Sequence, residues 1–181
     1  PYHHYSRLMA FNFIMVSANT GTRPGETLRI RWRDVGGWSY SEGVSGQITI
    51  NIPPSRKTGA YIAIGQFTLQ KYLKSLWRLH KETFGKQPSQ DDYIFKSYRQ
   101  GQYALPQKTF KAILKGIDMY TDVEGRTRTL YSLRGYYISL LLSRGETIHQ
   151  VAKVCGTSVQ QIEKHYDRTA PTITSSSLRP K

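Results

Sequence analysis

Residues Thr129–Gly145 read "TLYSLRGYYISLLLSRG". Tyr136, Tyr137, Ile138, Leu140, Leu141 and Leu142 cover nearly every side of a helix over this stretch, and apolarity all round predicts a buried element. Within the apolar run stands Arg134, a residue type seldom fully buried unless it is paired. A buried helix that carries a cation constrains whatever packs around it. The candidate partners are Glu26, Asp34 or Glu146 in a structural ion pair, or a phosphate supplied from outside.

The chain around this stretch has 181 residues with 26 Lys and Arg against 12 Asp and Glu, a net charge of +14. The length suits one compact domain with a real core. The surplus of positive charge favours a polyanionic partner, with nucleic acid ahead of an anionic membrane. The basic residues are scattered along the chain rather than gathered on one amphipathic face, as a membrane-surface helix requires. Cys155 is the only cysteine, which excludes a disulfide framework and a CxxC metal site. No run is long and apolar enough to span a bilayer, and no secretory signal opens the sequence. These features fit a reducing compartment and a nucleic-acid partner.

Outward from Arg134, the pattern is mostly helical. "YSRLMAFNFIMVSANTG" predicts a helix ending near Gly21, and Pro24 suits the first turn of another, "PGETLRIRW". Gly36, Gly37, Gly43 and Gly46 read as chain breaks. "GQITINI" alternates and is rich in branched residues, so it predicts a strand, which "PPSRKTGA" turns into an antiparallel partner, "YIAI". "QFTLQKYLKSLWRLHKETFG" is an amphipathic helix with a basic outer face. "SQDDYIF" predicts a loop and short strand, and "LPQKTFKAILKGIDM" another helix. "TIHQVAKVCG" and "SVQQIEKHYD" follow the opening stretch as helices. The fold class expected is α+β, mostly helical with a small antiparallel hairpin or sheet. Residues 1–168 form the expected domain, and 169–181, rich in Ser, Thr and Pro, a mobile or docking tail.

Four positions carry candidate chemistry. Arg23 falls at a helix N-cap, where arginine is a poor choice. A broken local rule of this kind often marks function, and a helix N-terminus beside a guanidinium favours an anion. The bland alternative is a loop arginine on the surface. Lys57 sits at the tip of the predicted hairpin, where most lysines only keep a turn soluble. Arg134 follows Tyr131 by three residues, on the same helical face. Tyr166 lies on a short helix near the end of the chain, among Lys164, His165 and Arg168.

Together these segments resemble the tyrosine recombinases, or phage integrase family. "TGTRPGETLRIRWRDV" is similar to that family's first arginine box, with Gly21, Arg23, Glu26, Leu28, Trp32 and Asp34 in register. "RKTG" resembles its hairpin lysine motif, "YSLR" its His-x-x-Arg box and "CGTSVQQIEKHY" its Gly-His…Tyr segment. The resemblance spans roughly residues 5 to 168. It implies a catalytic domain that cleaves and rejoins DNA through a covalent 3′-phosphotyrosine. In that role Tyr166 is the nucleophile, Arg23 and Arg134 the phosphate clamp and Lys57 the general acid. Two positions depart from the pattern. Tyr131 stands where the family has histidine, and Thr157 where it has histidine or tryptophan. Both keep a hydroxyl, but neither offers histidine's proton chemistry near neutral pH.

The resemblance further implies double-stranded DNA as partner, a homotetramer on paired sites when full-length, accessory DNA-bending proteins, N-terminal DNA-binding domains outside this sequence, a cytoplasmic location in a prokaryotic or virus-infected cell, and no metal or other cofactor. The alternatives are a DNA-binding relative that has lost the chemistry, and a hairpin telomere resolvase or relaxing topoisomerase.

Overall fold

The computed structural model describes residues 2–55, 59–99 and 101–166. Lys57 and the side chain of Tyr166 lie outside the described residues, as does the segment 169–181. Seven helices and three strands are seen among the described residues: α1 Tyr2–Thr20, α2 Pro24–Thr27, β1 Val35–Ser39, β2 Gly43–Ile52, β3 Tyr61–Ile64, α3 Leu69–Phe84, α4 Gln107–Gly116, α5 Ser132–Ser143, α6 Ile148–Cys155 and α7 Val159–Tyr166. This is the α+β architecture that the sequence predicts.

Helix α1 packs on α3 and α5. Its buried Tyr5, Met9, Phe13 and Val16 recur every three or four residues, the spacing that keeps one helical stripe facing inward. Leu69, Leu73 and Leu76 answer from α3. The sheet has the order β1-β2-β3 with both pairings antiparallel. Ile48, Ile50 and Ile52 of β2 are buried, as the two-residue period of a strand requires for one face against a core. A second, smaller cluster joins Tyr137 and Ile138 of α5 to Val151, Ala152 and Cys155 of α6 and Ile162 of α7. It seats the α6–α7 pair against the larger core.

The structure corrects four expectations. The glycines at 36 and 37 belong to β1. They form an irregularity in its pairing with β2, and Gly37 has φ +71° with the Gln47 carbonyl oxygen only 2.3 Å from where a Cβ would stand. A bulge of this kind selects glycine rather than ending the strand. Helix α2 stops at Thr27, short of the predicted Trp32. Arg31 turns extended, its N–H donates to Asp34 Oδ2 at 2.8 Å, and the Ile30 carbonyl accepts from Ile94 N at 3.0 Å. The predicted strand near Tyr93 is a single bridge to Arg31, with the Arg31 guanidinium 4.3 Å above the Tyr93 ring. Finally, α5 is not buried all round: Tyr136 is 57% exposed. The helix is apolar on several sides because it serves both clusters, with Leu133 packing on the larger and Tyr137, Ile138, Leu141 and Leu142 in the smaller.

Candidate active site

Arg134 sits on the inner side of α5 at 2% exposure. Its partners are backbone. Nη1 donates to the Gly21 carbonyl at 2.8 Å, and Nη2 donates to the Cys155 carbonyl. Among the described residues no carboxylate lies within ion-pair distance of it. Glu26 is engaged by Arg23, and Asp34 caps the turn at Arg31. Two of the five guanidinium N–H donors are thus spent on main-chain oxygens, and the positive charge itself is left without a counter-charge.

Gly21 can offer its carbonyl because of its conformation. It ends α1 at φ +63°, and a Cβ there would stand 2.3 Å from Cδ1 of Tyr137. Only glycine allows the turn and the ring to share this space. The Cys155 carbonyl is available because it belongs to the last turn of α6, where backbone oxygens lack partners within the helix.

Arg23 is the N-cap of α2, as the sequence predicts. The capping is done by Glu26, whose Oε2 accepts from Arg23 N at 2.9 Å. Oε1 of the same carboxylate takes Arg23 Nη1 at 2.9 Å, and Arg23 Nη2 donates to the Gly156 carbonyl at 2.8 Å. Burial works against the Arg23 charge, but the hydrogen bond and charge of Glu26 outweigh it and raise the pKa. Arg23 and Arg134 therefore grip consecutive carbonyls, those of Gly156 and Cys155. Two cations of like sign are held on neighbouring carbonyls at the C-terminal end of α6, where the helix dipole is negative.

Tyr61, at the start of β3, completes this arrangement, and the sequence reading missed it. Its hydroxyl donates to Glu26 Oε2 at 2.7 Å. Its ring lies against Gly156, where a Cβ would meet Cδ1 at 2.4 Å. Burial, then the Glu26 carboxylate, pushes the phenol far above its ordinary pKa, so it remains a donor. A glutamate three residues after an N-cap is a legible capping signal. A tyrosine reaching it from another strand leaves no such trace. Burial also pushes the Cys155 thiol up to about 11, against the pull of the two arginines.

The other candidate positions fall around this centre. Thr157 follows Gly156 and donates its N–H to the Ala152 carbonyl at 3.0 Å. With Arg23 and Tyr61 it lines an open groove of about 1100 Å³ between β3 and the α6–α7 junction. Tyr131 stands at the entrance of α5, 52% exposed, close enough for its phenol to act on Arg23 electrostatically. With Pro24 it lines a separate cavity of about 410 Å³. The structure thus gathers Arg23, Arg134 and Thr157 around residues 155–157, with Tyr131 on the other flank of Arg23. The backbone of Tyr166 ends α7, the helix that leads away from the same three residues.

No protein-family model matches the sequence, and no curated relative does. The fold, however, has solved counterparts. The XerH site-specific recombinase in its pre-cleavage complex with difH substrate superposes with a TM-score of 0.67 at 18% identity, over 88% of this chain and 43% of that one. The XerA recombinase gives 0.64 at 20% identity, over 100% of this chain and 65% of that one. The Tn1549 transposon integrase in complex with transposon right end DNA gives 0.62 at 13% identity, over 93% and 56%. The chain spans less than two thirds of each of these proteins. The order of helices, the small antiparallel sheet and these likenesses together identify the fold as that of the tyrosine recombinase catalytic domain.

Proposed function

We propose that the chain is the catalytic domain of a site-specific DNA recombinase or integrase that breaks and rejoins DNA strands through a covalent 3′-phosphotyrosine. The observation that carries this reading is the convergence of Arg23 and Arg134 on consecutive carbonyls at the end of α6, just before α7, the helix that ends at Tyr166. In phosphoryl transfer the protein's main task is to position the reacting oxygens and to stabilise charge. Two guanidinium groups held rigidly by backbone and by Glu26 are suited to the non-bridging oxygens of a phosphodiester.

In the proposed reaction, the Tyr166 oxygen attacks phosphorus and loses its proton to solvent. The bond from phosphorus to the 5′ oxygen breaks, and Lys57 supplies the proton that makes this a 5′-hydroxyl. Attack by a 5′-hydroxyl on the phosphotyrosine reverses the sequence and reseals the strand. Duplex DNA is the proposed substrate. The net charge of +14 and the DNA complexes of the neighbouring structures support it. Assembly as a tetramer on paired sites and help from DNA-bending proteins belong to the same proposal, for the longer protein.

A second reading, a DNA-binding relative with weakened chemistry, draws on Arg134. Its near-complete burial and its two carbonyl partners also suit a purely structural cation. One experiment separates the two. The chain is incubated with a pool of nicked duplexes of random sequence around the nick, in excess chelator, and run on a denaturing gel. The recombinase reading expects a covalent protein–DNA band that Tyr166→Phe abolishes while DNA affinity stays within a factor of about two. DNA binding without any such band establishes the second reading instead.

A further inference from the structure

The cavity on the α4 side of Arg23 has no part in the chemistry above. Its lining includes Pro24, Phe110, Lys111, Tyr120, Arg128 and Tyr131, and it contains no carboxylate. At about 410 Å³ it falls in the range of small-ligand sites, roughly 300–1,000 Å³. Phe110, 6% exposed, supplies an apolar wall. The half-buried Tyr120 ring lies under two ammonium groups, Lys111 at 5.2 Å and Lys115 at 5.5 Å from its centroid. Arg128 spans the rim, its Nη1 donating to the carbonyls of Met119 at 2.7 Å and Thr121 at 2.6 Å. The neighbouring carboxylates of Asp122 and Glu124 pair with Arg126.

Aromatic faces interleaved with cations are what a single unstacked nucleotide requires. The base finds a π-surface and the phosphate finds charge. Position narrows the choice further. Pro24, which lines the cavity, follows Arg23 in the chain, so the cavity adjoins the arginine proposed to hold the phosphate. We infer that this cavity receives the nucleotide adjoining the scissile phosphate once its base leaves the stack. The inference rests on the strand-cleaving reading. Unpairing is cheapest at a strand end, and cleavage creates one at the 5′-hydroxyl. A pocket for that terminal nucleotide holds the free end near the phosphotyrosine and lets it exchange for the end of another strand.

The test uses the full chain and a nicked duplex with 2-aminopurine as an unpaired base on the nucleotide that carries the 5′-hydroxyl at the nick, compared with the same duplex fully paired. Binding is read by anisotropy of a distal dye and base insertion by aminopurine emission. Stacking on Tyr120 quenches the emission and favours the unpaired probe by about ten-fold, the scale of one base–aromatic contact. Tyr120→Leu restores the emission and erases the preference. Lys111→Ala, at an exposed position, reduces the preference without touching the ring. Equal emission and equal preference in all three proteins, with binding intact, overturn the inference. Absence of DNA binding in the anisotropy channel overturns the strand-cleaving reading itself. A covalent band with no aminopurine response overturns only the pocket.

Discussion

Replacing Arg134 by methionine tests whether this cation is part of the architecture before any DNA arrives. The guanidinium donates to two carbonyls, Gly21 at 2.8 Å and Cys155, and is 2% exposed. Removing it leaves both acceptors in place with no donor. A buried acceptor left unpaired costs about 1–3 kcal/mol, so the pair costs about 2–6. Methionine keeps the apolar stem packed and removes the penalty of burying a charge, which offsets part of the loss. The expected net destabilisation is about 2–4 kcal/mol, a large share of the roughly 5–15 kcal/mol that holds a domain together. Urea unfolding followed by the emission of the packed Trp32, Trp38 and Trp77 reads it directly. At a slope of about 2 kcal/mol per molar, the midpoint falls by about 1–2 M. Arg134→Lys retains charge but cannot span both carbonyls as a planar fork, so it falls between the parent and Arg134→Met, and it loses about 10²–10³ in covalent adduct rate. A methionine variant as stable as the parent refutes this reasoning, because the carbonyls then have other partners and the clamp is not preassembled.

Four further outcomes follow from the same geometry. Gly156→Ala forces a Cβ at φ +57° to within 2.4 Å of the Tyr61 ring. Beyond the roughly 1–2 kcal/mol of left-handed strain it should displace the carbonyl that Arg23 holds, so adduct formation drops more than affinity does, and equal drops in both would argue against this. Tyr61→Phe removes one hydrogen bond to Glu26, about 1 kcal/mol. Its adduct rate in single-turnover assays should fall several-fold at unchanged melting temperature to within a few degrees, and a parent-like rate would show that Glu26 holds Arg23 unaided. Cys155, with its thiol pushed up to about 11 and its side chain fully buried, should resist iodoacetamide at pH 8 in the native state and react on adding urea; ready labelling of folded protein contradicts its placement. His80 is kept below its ordinary pKa by burial and then by Lys96. The folded state therefore resists a proton that the unfolded chain accepts, and stability is complete above about pH 6.5 and declines below it. His80→Leu should flatten the stability profile between pH 7 and 5, and an unchanged slope would assign the decline to other groups.

Much of this fold was legible because periodicity carries it. The stripes of α1 and α3 and the alternation of Ile48, Ile50 and Ile52 repeat at the spacings that helices and strands impose. Strand β1 was not legible. Its glycines at 36 and 37 signal a break in isolation and a bulge only when β2 lies alongside. Helix α2 read too long because "TLRIRW" has helical periodicity, while Ile94 from far along the chain and Asp34 from three residues on claim its backbone. Of the site, the arginines could be named from their setting and from the family resemblance. Their partners could not, since a carbonyl is present at every residue and bears no mark in the sequence. Tyr61 was hidden for a related reason: its value lies in reaching Glu26 across 35 positions of chain.

The grip on consecutive carbonyls also makes α7 a lever with a fixed fulcrum. From Val159 to Tyr166 the helix has 8 residues, so its far end stands roughly 12 Å from its start. A tilt of about 5° at the junction swings that end by roughly 1 Å, and an error of that size can cost about 10²-fold in a reaction governed by positioning. Arginines placed at the pivot hold the angle of the arm as well as any phosphate they bind. Under the proposed mechanism, substitutions around residues 155–158 should therefore act as changes of aim, expressed at the far end of α7.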